Sequence, residues 1–386
     1  MENILSAVKA NIQKVLVGEE RVTSLLLTAL VAGGHVLIED VPGMGKTVLA
    51  RSLAKSVDGA FGRIQFTPDL LPSDVTGLNF FDNKSGEFQF SPGPVFCNIL
   101  LADEINRATP RTQSALLECM AEGQVTVDGE TRRLAPPFFV IATQNPVETL
   151  GTYPLPEAQL DRFLMRLSMD LPTREQERQI LERFQTSEPL EELGPVCKPE
   201  EIVALQAAAR KLYIHPVLLE YIVDLARASR EARGVDLGVS PRGTLALLRA
   251  SQAKALVEGR AFVTPEDIKE VGVPVIAHRL AISGGKYLRH KPAAVVTSAR
   301  RAGTTTALEA MEKVPQFFEM PLISSTYWPM VHGGKAEEVL SDEEGLQIMR
   351  NLGRNMAWML RCIEAGKAAG IAAPVAENDK RTNFIR

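Results

Sequence analysis

Residues 36–51, Val-Leu-Ile-Glu-Asp-Val-Pro-Gly-Met-Gly-Lys-Thr-Val-Leu-Ala-Arg, constrain the fold of this chain more than any other stretch. Val36, Leu37 and Ile38 form an apolar run of buried-strand character. A turn rich in Pro and Gly follows, Val41-Pro42-Gly43-Met44-Gly45, and then Lys46 and Thr47. The apolar periodicity of residues 48–57 predicts a helix. Strand, glycine loop and helix in this order are the context of a phosphate-binding loop. Glycines let the backbone approach phosphates, and loop N–H groups with a helix N-terminus supply a positive concavity. The predicted nucleotide-binding residues are Pro42, Gly43, Met44, Gly45, Lys46, Thr47 and Val48. Lys46 would reach the β- and γ-phosphates, and the Thr47 hydroxyl would ligate Mg²⁺. The strict pattern has a Gly where Asp40 stands, so the loop alone also reads as a Gly-Pro turn with a solvated lysine.

A second motif narrows that choice. The apolar run 98–102 ends in Asp103-Glu104. Adjacent carboxylates at a strand tip repel each other unless a cation is present. Asp103 would hold the Mg²⁺ water shell and Glu104 would polarise the attacking water. A solvated strand end is the plain alternative for this motif taken alone, and its pairing with the upstream loop argues against it. Residues 138–142 form another apolar run, ending in Thr143-Gln144-Asn145-Pro146. Asn145 either orients the lytic water or closes an Asn-Pro turn.

The remaining elements follow from periodicity. Helices are expected over 2–15, 20–32 and 110–121, and further strands over 61–66 and 164–169. Hairpins are expected over 80–90, around Asp82-Asn83-Lys84-Ser85-Gly86, and over 124–131, with Asp128-Gly129 as the turn. Residues 68–76 read as a polar connection. Beyond Leu171-Pro172 only helical periods appear, over 174–185, 199–212, 216–231, 241–258 and 265–278. Arg162 is either an intrachain scaffold or a cation presented to a neighbouring subunit's nucleotide. Arg242 lies in the first turn of a helix, where a cation opposes the helix dipole. It is either a phosphate contact or a solvated side chain.

Composition bounds the function classes. With 386 residues the chain is long enough for two or three domains, and 23% charged residues are ordinary for a globular protein. A net charge of −4 offers no basic field for nucleic acid. Cys97, Cys119, Cys197 and Cys362 lack C-x-x-C spacing, as expected of thiols in a reducing compartment. No signal peptide is visible at the N-terminus. The apolar window 22–38 is interrupted by Gly33, Gly34 and His35 and is short for a membrane span. A cytoplasmic location without a membrane span is therefore expected.

Taken together, five stretches resemble the AAA-plus ATPases, and within them the MoxR family. They are Glu39-Asp40-Val41-Pro42-Gly43-Met44-Gly45-Lys46-Thr47, Asp103-Glu104-Ile105-Asn106-Arg107-Ala108, Ala142-Thr143-Gln144-Asn145-Pro146, Leu155-Pro156-Glu157-Ala158-Gln159-Leu160-Asp161-Arg162-Phe163 and Ser240-Pro241-Arg242. The resemblance covers residues 1–280. It implies an α/β fold with a P-loop core and parallel sheet over 1–171 and an all-helical lid over 172–282. It also implies ATP and Mg²⁺ as ligands, with Lys46 and Thr47 in Walker A, and Asp103 and Glu104 in Walker B. Asn145 becomes sensor 1 and Arg242 sensor 2, while Arg162 is the arginine finger, with Arg166 the alternative. The two hairpins resemble family insertions that face the pore of a hexameric ring. Relatives act as chaperone-like assembly or activation factors, often beside a von Willebrand A-domain partner.

Residues 283–386 change character. The pattern predicts a strand over 292–298, a helix over 304–313, a strand over 320–325, a loop over 328–334 and a long helix over 342–369. The stretches 296–304, 327–333 and 355–358 resemble the C-terminal half of flavodoxin-fold NAD(P)H-dependent FMN reductases. The first strand and phosphate loop of such a fold have no counterpart before residue 285. A fused half-domain without a bound cofactor is expected; the rival reading is flavin-linked NAD(P)H oxidoreductase activity in this segment, with FMN near Tyr327 and Trp328.

Overall fold

The computed structural model describes the chain apart from residues 1, 40–42, 85, 146–151, 170, 186–187, 233–234, 283–291, 300–320, 327–328, 333–338 and 373–386. It separates into two compact units, Met1–Ala281 and Ile282–Arg386.

The first unit is built on a five-stranded parallel sheet. In chain order its strands are β1 (His35–Glu39), β2 (Phe61–Gln65), β5 (Ile99–Asp103), β8 (Phe139–Gln144) and β9 (Phe163–Leu167). Their spatial order is β2-β5-β8-β1-β9. The three inner strands have buried apolar runs, as a parallel sheet covered on both faces requires. The apolar window at 22–38 resolves into a helix and a strand. Helix α2 (Glu20–Ala32) buries every residue from Val22 to Val31, and Gly33 ends it in a left-handed turn. Gly34 lets the chain pass close to β9, because a Cβ there would lie 2.5 Å from Leu164 Cβ.

Helices α1 (Glu2–Gln13), α3 (Lys46–Ser56) and α5 (Pro110–Glu122) flank the sheet. Two antiparallel hairpins leave the core, β3–β4 (Gly77–Asp82 with Glu87–Pro92) and β6–β7 (Gln124–Val127 with Glu130–Arg133). Asp128 and Gly129 both adopt positive φ, the two-residue turn that the Asp-Gly pair predicts. The stretch expected to be a polar connection contains one short helix, α4 (Pro72–Thr76), whose Asp74 carboxylate accepts the Leu71 N–H at 2.8 Å.

The lid segment holds α7 (Arg174–Phe184), α8 (Pro199–Ala209), α9 (Pro216–Glu231), α10 (Pro241–Val257) and α11 (Pro265–Ile276). Each lies within a stretch of helical period, with ends up to three residues earlier. One short strand, Val235–Leu237, interrupts an otherwise helical segment. Helix α10 packs on α11, α9 and α2. Cys97, Cys119 and Cys197 are buried, and burial pushes their thiols up to about 12, 12 and 11.

In the second unit, strands Thr297–Ala299 and Met330–His332 pair in parallel, and a helix spans Glu343–Ala368. The segment expected as a strand over 320–325 shows a single bridge, Leu322 to Ala293. A strand instead forms within the expected loop, where alternating Met330, Val331 and His332 meet the ladder. The expected helix over 304–313, and Tyr327 and Trp328, lie outside the described residues. Asp342 caps the long helix: its carboxylate accepts Gly345 N–H at 2.9 Å and His332 N–H at 2.7 Å, which hold its pKa below the usual carboxylate range.

Candidate active site

The carboxyl ends of β1, β5 and β8 meet the N-terminus of α3 around a cleft of about 340 Å³. Its lining includes Gly43 to Thr47 from the loop, Asp103 and Glu104 from β5, and Asn145 after β8. Residues separated by a hundred positions in the sequence thus share one cleft because their strands are neighbours. Gly45 stands at φ 82° and its carbonyl accepts the Leu49 N–H at 2.9 Å, so α3 begins at Lys46. The left-handed backbone there favours glycine. Pro42 lies outside the described residues. Val48 is not among the cleft residues; it packs beside Val15, Leu190 and Leu193.

The carboxylate pair is held by a specific network. Thr143 donates its hydroxyl to Asp103 Oδ1 at 2.6 Å and accepts the Glu104 N–H at 2.9 Å. Glu104 adopts φ 56° and ψ 49°, a left-handed conformation that costs a non-glycine residue roughly 1–2 kcal/mol. Such strain concentrates at functional sites. The Glu104 carboxylate accepts Gln65 Nε2 at 2.8 Å and lies 3.2 Å from Arg107 Nε. Asp103 Oδ2 lies 2.8 Å from Arg63 Nη2. Sequence reasoning singled out neither Arg63, Gln65, Thr143 nor Gln144. The available signal was Arg-x-Gln on a strand, which puts two polar side chains on one face.

The remaining arginines lie elsewhere. Arg162 and Arg242 line a second cleft of about 240 Å³, together with Asp161, Arg249 and Arg279. Arg162 Nη1 donates to the Leu117 carbonyl at 2.6 Å, which anchors it to α5. Arg279 is buried and its Nε lies 2.7 Å from Asp161 Oδ1. Burial lowers the Arg279 pKa from its usual value, and Asp161 opposes that shift. Arg166 is committed within the chain, 3.1 Å from Glu39 Oε2.

The donor chemistry fits Mg²⁺. Thr47 and Asp103 offer hard oxygens, and among the described residues no group of three or more His, Cys, Asp or Glu forms a metal cage. Mg²⁺ is characteristically bound by one or two carboxylates together with substrate phosphates and water.

A parallel sheet with a glycine loop feeding a helix N-terminus, and a carboxylate pair on an adjacent strand, define a P-loop ATPase. Residues 35–165 match the model of the ATPase family associated with various cellular activities (AAA), and residues 227–299 match the AAA lid domain. The lid match continues past residue 280, where the motif-based resemblance ends. The chain is 38% identical over 314 residues to "Chaperone MoxR1" of Mycobacterium tuberculosis, covering 79% of this chain and 82% of that one. It is 35% identical over 299 residues to "Protein MoxR" of Paracoccus denitrificans, covering 71% and 88%. An uncharacterized Bacillus subtilis protein, YeaC, is 51% identical over 279 residues, covering 72% and 87%. A crystal structure of a Cytophaga hutchinsonii protein, 37% identical, superposes with a TM-score of 0.70 and covers 81% of this chain and 94% of that one. The chain belongs to the MoxR family of AAA ATPases. It is an ATPase, converting ATP and water to ADP and phosphate.

Proposed function

We propose that this ATPase works as a ring of like subunits that remodels or activates partner proteins. The convergence of Lys46, Thr47, Asp103, Glu104 and Asn145 on one cleft carries the ATP-binding part of this reading. In it Lys46 pairs with the β- and γ-phosphates, and Thr47 and Asp103 hold Mg²⁺. When bound, the metal would supply charge neutralisation for the β- and γ-phosphates. Glu104 accepts the proton of the attacking water once its carboxylate leaves Gln65 and Arg107, and Asn145 orients that water. Arg162 and Arg242 lie in a separate cleft from the P-loop. That placement supports a role for Arg162 in trans, on the nucleotide of a neighbouring subunit, with Arg242 beside it as the sensor 2 candidate.

The partner-facing surface is assigned to the hairpins. Phe80, Phe81 and Phe88 are exposed on β3–β4, with Phe81 and Phe88 edge to face at 5.4 Å. Asn79 donates to Asp128 at 2.8 Å, and Arg132 lies 4.1 Å over the Phe90 ring, so the two hairpins are tied together. A tied pair can transmit movement of α5 to an exposed aromatic surface. A client protein is the expected occupant, and a von Willebrand A-domain protein is the expected co-factor, testable by co-purification.

Glu104→Gln should bind ATP yet slow hydrolysis by about 10²–10⁴, the worth of a general base. Near-normal turnover in that variant would exclude Glu104 as the base. Light scattering with and without ATP reads the ring, and a monomer in both states would exclude it.

A further inference from the structure

The adjacent carboxylates of β5 need a counter-charge, and the fold supplies one from β2. Parallel pairing sets Gln65 opposite Asp103. Arg63, two residues earlier, projects to the same side as Gln65. Its Nη2 lies 2.8 Å from Asp103 Oδ2 and 3.1 Å from Gln65 Oε1. Thr143 holds the other oxygen, Oδ1. Arg63 and Asp103 both line the nucleotide cleft, and the Arg63 side chain is 48% exposed. Holding β2 to β5 is not its task, because a continuous parallel ladder from Phe61–Ile99 to Gln65–Asp103 already joins them.

We propose that Arg63 is a displaceable counter-ion of the metal site. It holds Asp103 Oδ2, and it would release that oxygen when Mg²⁺ with its water shell is bound together with ATP. This rests on the reading of Asp103 as the metal carboxylate. Glu104 already has Arg107 as a cation partner, so without Arg63 it is the Asp103 charge that would face incoming phosphates. With it, one cation is exchanged for another and the local charge never becomes strongly negative. An exposed ion pair is weak enough to be given up readily. The same arrangement disfavours metal bound without nucleotide, since Arg63 competes for Asp103 and no phosphate compensates.

Mn²⁺ tests this, with the free ion followed by electron paramagnetic resonance during titration of the full chain holding a non-hydrolysable ATP analogue. Arg63→Ala should bind Mn²⁺ about two- to fivefold tighter than the unaltered chain, the worth of one exposed ion pair. Arg63→Lys keeps a cation and should stay within about twofold of the unaltered chain. Asp103→Asn should bind it more weakly. Unchanged or weaker binding in Arg63→Ala, beside an impaired Asp103→Asn, overturns the counter-ion alone. Equal tightening in Arg63→Lys and Arg63→Ala overturns it too, because charge would then not matter. An unimpaired Asp103→Asn overturns the metal-carboxylate reading and the counter-ion with it.

Discussion

Moving from about pH 7 to about pH 5.5 should destabilise the ATPase unit by about 2–3 kcal/mol, through two buried histidines. His35 on β1 accepts the Val140 N–H at Nδ1 (3.0 Å), so its proton sits on Nε2, which donates to the Met120 carbonyl at 3.0 Å. Burial lowers its pKa from 6.5 to about 4. His278 lies 3.0 Å from the Phe163 carbonyl, and burial, then the Arg279 charge, lower its pKa from 6.5 to about 3. A depressed histidine stabilises the folded state fully above the unfolded pKa. That contribution is lost as pH falls from 6.5 toward the folded values. Each group then takes up a proton only on unfolding, worth about 1.4 kcal/mol per pH unit, or about 1.2 kcal/mol over this window. Carboxylates contribute little there, because their unfolded pKa values lie near 4. For a unit of this size the two together should lower the melting temperature by about 5–10 °C. Scanning calorimetry at both pH values measures it. His35→Gln offers an amide donor and acceptor without the titration and should remove about half of the slope, as should His278→Gln. A double variant that kept the full pH dependence would refute this account.

Arg162→Ala should slow hydrolysis by about 10³ or more, the worth of an arginine finger. Mixing it with Glu104→Gln chains should restore activity at interfaces that pair an intact finger with an intact Glu104. Mixed rings that show no rescue would exclude action in trans. Gly34→Ala should cost about 1–3 kcal/mol, read by denaturant unfolding, because its Cβ would meet Leu164 at 2.5 Å. Asp161→Ala should cost about 3–5 kcal/mol in the same assay, since it strands the buried Arg279 charge.

Much of the first unit was legible because its signals are local. The loop 43–47 needs Gly45 at positive φ, and the Asp-Gly turn of the second hairpin needs two such residues, so backbone chemistry shows in the residue types. The strand ending in Asp103-Glu104 was visible as an apolar run with an anomalous tip. The second unit was less legible: three-residue strands such as Thr297–Ala299 carry too little pattern for periodicity to place their ends.

What stayed hidden depends on register, which sequence does not display. Arg63 and Gln65 look like solvated residues of an edge strand until β2 is paired with β5 and Gln65 falls opposite Asp103. The left-handed backbone of Glu104 is equally invisible, because nothing in the residue type demands it. The second cleft makes the same point at a larger scale. Arg162 immediately precedes β9 and Arg242 lies in the first turn of α10, and only the fold brings both to one cleft apart from the P-loop. In the proposed ring, a cation placed away from its own chain's P-loop would act on the nucleotide of a second subunit. Single-chain reasoning can therefore name such a residue while leaving its partner to the assembly.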